Sequence, residues 1–182
     1  MKHLFTLLTL MLILFSCEKK QAEPKAVATK SHESHSEASH GDDMLAHLVS
    51  GYLEIKDALV EERNDGAVKG ATHMLAAFKS FPVSQLKAEQ TTIFNEIYEN
   101  SKEQLEHIQK SDIAHQREHF LELSKDMIDL VKLIGTKKPL YKEYCSMYKG
   151  NKGGTWLSDS PQIRNPYFGS KMLKCGKVLE EI

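Results

Sequence analysis

The sequence predicts a mainly α-helical protein: an antiparallel four-helix bundle with a small irregular or β-containing C-terminal lobe packed on it. Two observations predict this. Apolar residues recur at three- and four-residue steps in four separate stripes between Met44 and Gly135. Composition then changes sharply, because residues 139–182 hold three of the five prolines, five of the ten glycines, four of the six tyrosines and the only tryptophan. Across the 182 residues, 24 Lys+Arg stand against 25 Asp+Glu, which excludes the basic excess typical of nucleic-acid binders. Charged residues at 27% and hydrophobic residues at 41% exclude a membrane bundle and a disordered chain.

The chain opens on a charged Met-Lys-His, an almost wholly apolar Leu4–Phe15, then Ser16 and Cys17. Twelve such residues are too few for a spanning helix, which needs about 20, and read as a signal peptide. Leu14-Phe15-Ser16-Cys17 resembles a bacterial lipobox, in which the lipidated cysteine becomes the mature N-terminus. The competing reading is a cleaved, unlipidated signal peptide with Cys17 incidental. With the lipid, the protein is expected in the cell envelope, facing the periplasm or the cell surface and held to the membrane by acyl chains alone. Residues 18–43 carry almost no large apolar side chain and read as a flexible linker. Its His32, His35 and His40 can capture a metal ion loosely, against the plainer reading of a solvated spacer.

Residues 44–182 form the bundle and lobe. The first stripe runs through Leu45, Leu48, Tyr52, Ile55 and Leu59 and ends near Arg63-Asn64-Asp65-Gly66. The second uses Val68, Ala71, Met74, Leu75 and Phe78 and stops before Pro82. The third starts after Ser84 and uses Leu86, Phe94, Ile97, Leu105 and Ile108. The fourth follows a cap at Ser111 or Asp112, runs from Ile113 through Phe120, Leu123, Met127 and Leu130 to Ile134, and closes at Gly135. Short connections between such helices make an antiparallel bundle. Met74 and Met127 lie on the stripes and belong to the core. After Gly135, the glycines and prolines at 150, 153, 154, 161 and 166 exclude a long helix. So short a lobe needs the bundle to bury its apolar side chains, through Trp156, Tyr167 and Phe168.

Two clusters in the lobe carry chemistry: Cys145-Ser146-Met147 and Met172-Leu173-Lys174-Cys175. Thiolate and thioether are soft donors that favour Cu(I), while thiolate alone also suits zinc. Cys-x-Met on an extended segment puts both sulfurs on one face, and Met-x-x-Cys does so in a helical turn. The competing reading is a Cys145–Cys175 disulfide, worth roughly 3–4 kcal/mol by loop-closure entropy. His115 and His119 stand four apart on the fourth helix and share a side, a common two-ligand unit. His47, His73 and His107 lie off their stripes and read as surface residues. No Ser/His/Asp arrangement, phosphate loop or HExxH motif is visible, and the chain is not expected to be an enzyme.

Tyr144-Cys145-Ser146-Met147, Trp156-Leu157-Ser158-Asp159 and the run from Ile163 to Gly176 resemble a periplasmic domain family of unknown function common in Bacteroidetes. That family occurs as free-standing lipoproteins and as an extension of CusB-type adaptor subunits of heavy-metal efflux pumps. Residues 45–180 fit it, including Tyr52–Val60 on the first helix and Gln116-Arg117 with Phe120 on the fourth. The resemblance implies a bundle with a metal-associated lobe, Cys145, Met147, Met172 and Cys175 being the matching ligands. His115 and His119 are similar to family positions. The soft-donor set, the His-rich linker and this resemblance together lead to an expected metal cargo, Cu(I) before zinc because thioethers are poor zinc ligands, that is sequestered or passed to a heavy-metal efflux complex. The family's usual Cys-Pro-Met reads Cys-Ser-Met here, which loosens the turn and keeps both sulfurs.

Overall fold

A computed structural model describes the backbone of residues 38–182 and the side chains from Leu45 onward. Cys17, His32 and His35 therefore lie outside the described residues, as does the His40 side chain. Four long helices form first: α1 (Ala38–Val60), α2 (Asn64–Lys79), α3 (Ala88–Lys110) and α4 (Ile113–Ile134). They are followed by strand β1 (Tyr141–Cys145), a single turn α5 (Tyr148–Asn151), and strands β2 (Gly154–Ser158) and β3 (Lys177–Glu181).

The expected four-helix bundle with a small lobe is what forms. Helix α1 packs on α2, α2 on α3, α3 on α4, and α4 back on α1. The stripes meet in one core in which Leu48, Tyr52, Met74, Phe94, Phe120 and Met127 are all buried. Three boundaries differ from expectation. Helix α1 starts at Ala38, inside the stretch expected as linker, because helical backbone propagates cheaply beyond a packed segment. Asn64-Asp65-Gly66 does not end α1 but opens α2, where Asp65 suits the positive end of the helix dipole. Leu86, expected on the third stripe, sits before α3 at the end of the one-turn 3-10 helix Val83–Gln85.

The turn between α3 and α4 is the tightest. Only Ser111 and Asp112 intervene, and the Asp112 carboxylate accepts from the backbone N–H groups of Ala114 and His115, each at 3.0 Å. At the other end Gly135, with φ +90°, closes α4 by donating to the Val131 carbonyl.

The lobe is a three-stranded antiparallel sheet in the order β2-β1-β3. It docks through Trp156 and Tyr167, as expected: both are buried in the shared core, and the Tyr167 ring lies 5.9 Å from that of Phe120 on α4, while the half-buried Phe168 ring meets Tyr148 of the lobe. The Tyr52 hydroxyl on α1 accepts from the Leu157 backbone N–H at 3.0 Å and shares a 2.7 Å hydrogen bond with Ser124 on α4. Arg117 on α4 donates to the Pro166 carbonyl at 2.9 Å and to the Leu59 carbonyl at 3.0 Å. One phenol and one guanidinium thus join bundle to lobe.

Candidate metal centres

Sheet register brings the two lobe cysteines together. Cys145 ends β1, opposite Gly154 of β2 and one residue past the Tyr144↔Lys177 pair with β3. Cys175 lies two residues before Lys177 on the chain entering β3. Both are free thiols, Cys145 fully buried and Cys175 partly so. The two thiols are near enough to act on one another, and the Cys145 thiol, helped by burial, pushes the Cys175 thiol up to about 11. The Met147 backbone points at the same sulfur and opposes that rise.

Buried Asn165 fixes the Cys175 side of this arrangement. Its side-chain amide donates to the Cys175 carbonyl at 2.7 Å, and its backbone N–H donates to the Leu173 carbonyl at 2.8 Å. The Cys175 N–H donates to the Met172 carbonyl at 2.9 Å, so Met172 and Cys175 span one 3-10 turn, where residues three apart eclipse. That agrees with the helical-turn expectation. Gly176 is required beside them: at φ +152° a Cβ would stand 2.9 Å from the Trp156 ring and 3.1 Å from the Tyr144 carbonyl oxygen.

Met147 departs from expectation. The extended segment stops at Cys145, and Met147 has φ −85° and ψ −13° in the turn that follows. The i,i+2 geometry of a strand therefore does not apply to Cys145 and Met147. Cys145 points into the core while the Met147 side chain is 50% exposed.

His115 and His119 gather elsewhere, with an unexpected third ring. Among the described residues, the only grouping of three or more His, Cys, Asp or Glu ligand atoms is His107, His115 and His119, all within 4.8 Å of one another. It includes neither cysteine. Nε2 of His115 lies 3.0 Å from Nε2 of His119. The His107 ring stacks on His119 with centroids 4.3 Å apart and planes 11° apart. Outward Nδ1 atoms have partners of their own: Glu118 Oε2 at 3.2 Å from His115, and Gln104 Oε1 at 2.8 Å from His119. Burial, then the neighbouring His107 and His115, hold the His119 imidazole below its usual range and favour the neutral ring.

His107 is exposed, as its place off the stripe predicts, yet its cluster was missed. The signal was the two-residue turn. In an antiparallel pair hinged at Ser111 and Asp112, residues equally far from the hinge lie level, which sets Gln104 opposite His119 and His107 close to His115.

The fold and its two clusters define the class: a helical bundle with a sheet lobe and candidate metal ligands in both parts. The family model described as "Protein of unknown function (DUF3347)" matches residues 48–139, α1 from Leu48 through the end of α4 and up to the threshold of the lobe. The chain belongs to that family. No curated protein and no solved structure matches it.

Proposed function

We propose that the chain is an exported lipoprotein that binds a soft metal ion, Cu(I) before zinc, and sequesters it or delivers it to a heavy-metal efflux system. The observation that carries this reading is the contact of two free thiols from positions 145 and 175, made by strand pairing and not by local sequence. Two thiols with Met147 and Met172 on the flanking turns offer sulfur donors that suit Cu(I); zinc would use the thiolates and make poor use of thioethers. Binding displaces the thiol protons, so uptake releases acid.

Attachment to the membrane rests on Cys17 and its lipid. No helix among the described residues is long and apolar enough to cross a membrane. At the sulfur site four protein donors leave no open position for a substrate, which supports a carrier over an enzyme there. His32, His35 and His40 serve at most as auxiliary capture groups, and no nucleic acid is involved.

Titration with Cu(I) against a competing chelator tests the reading. Wild type takes up one equivalent, and Cys145→Ser/Cys175→Ser does not. Unchanged stoichiometry in the double variant sinks the site. A structural disulfide is the second reading, favoured by the same thiol contact. Zero free thiols in the protein isolated from its own compartment, together with no metal uptake, would support it.

A further inference from the structure

We propose that His107, His115 and His119 form a second metal site, separate from the sulfur pair, for a borderline divalent ion of the zinc class. The motivation is the tautomer pattern. Nδ1 of His115 and Nδ1 of His119 each face an oxygen, Glu118 Oε2 and Gln104 Oε1, which can accept the ring proton. With both protons there, two Nε2 lone pairs face one another at 3.0 Å. An approach that close is bridged either by a proton on one Nε2 or, with both protons on Nδ1, by a cation that takes both lone pairs. Metal–nitrogen bonds of about 2.0–2.1 Å place two imidazole nitrogens ~2.9 Å apart at a right angle and ~3.3 Å apart at a tetrahedral angle. The observed spacing falls in that interval.

Acceptors behind ligating histidines are the usual outer layer of such sites, where they set the tautomer and raise basicity. The Glu118 and Glu103 carboxylates lie close enough to act on His119 and add negative potential for a cation. His107 supplies the third imidazole from α3. It must turn out of its stack on His119 to aim a lone pair inward, and as an exposed side chain it is free to do so. Three imidazoles are a borderline donor set that suits divalent zinc, copper or nickel, and they leave a fourth position open for exchange. The ion would also tie the end of α3 to the start of α4.

Co2+ is the probe, added to the untagged full chain carrying Cys145→Ser/Cys175→Ser. The expected result is one equivalent bound with the visible bands of nitrogen ligation and no thiolate charge-transfer band. Adding His107→Ala or His119→Ala then weakens binding by more than the ~10–100-fold that loss of an outer-layer partner costs. His47→Ala, an exposed histidine on α1, leaves it unchanged. Saturating Zn2+ raises the Tm of the same background by roughly 5–10 °C, and this rise vanishes with His107→Ala. The proposal is overturned if the double-serine chain binds no Co2+, or if His107→Ala keeps its affinity within about twofold, less than even an outer-layer loss. Because the readout uses a chain without the two thiols, a failed Cu(I) titration would overturn the sulfur reading and not this one.

Discussion

Glu143 sits on the central strand β1 with its carboxyl wholly buried, and neither oxygen has a hydrogen-bond partner. Burial raises its pKa from 4.5 to about 7, although the nearby Trp156 indole and Lys56 ammonium pull the other way. The folded state therefore holds a proton that the unfolded chain has released between those two values. The Glu143 contribution to stability accordingly falls as pH rises from 4.5 to about 7 and is flat above. Glu143→Gln removes the charge and should raise stability at pH 8 by an amount on the order of 3 kcal/mol at most, with little change near pH 4.5. Parallel Tm–pH curves for the two proteins would refute this. Single residues were also the hardest part to read in advance. In β1 the fully buried positions hold Glu143 and Cys145, so no alternation of apolar side chains announced the strand. His107 was legible only as a surface residue, because its meaning depends on a neighbouring helix.

Helices carried a stronger signal, since each spans several turns of a buried stripe and averages over any single misleading residue. The ends of α4 obeyed its caps: Asp112 opens it and Gly135 closes it where the pattern predicted. Asp112→Ala should cost about 1 kcal/mol by leaving the Ala114 and His115 N–H groups without their acceptor. Equal denaturation midpoints would contradict that. The closeness of α1 and α2 was not legible, because it rests on two glycines that periodicity ignores. A Cβ at Gly70 would lie 2.9 Å from the Ile55 backbone nitrogen and 3.0 Å from the Gly51 carbonyl oxygen. Backbone cannot step aside as a side chain can. Gly70→Ala should therefore destabilise by about 1–3 kcal/mol despite its better helix propensity. A stabilised variant in urea unfolding would show that the two helices separate freely.

At the scale of the whole molecule, the lobe depends on the bundle. The Tyr52 hydroxyl links α1, α4 and β2 through Ser124 and the Leu157 N–H. Tyr52→Phe leaves that buried N–H unsatisfied and should cost about 1–3 kcal/mol. If the lobe holds the sulfur site, Cu(I) affinity falls with it. The sequence composition marked where the lobe begins, and its aromatic residues marked how it docks. Its sheet order and the meeting of Cys145 with Cys175 came from register, which no local pattern encodes. The central claim, a soft ion held by sulfur in that lobe, is tested most directly by X-ray absorption at the copper edge of the Cu(I)-loaded full chain. A first shell of sulfur that disappears in Cys145→Ser/Cys175→Ser is the predicted result. A shell of nitrogen and oxygen alone, unchanged in that variant, would contradict it.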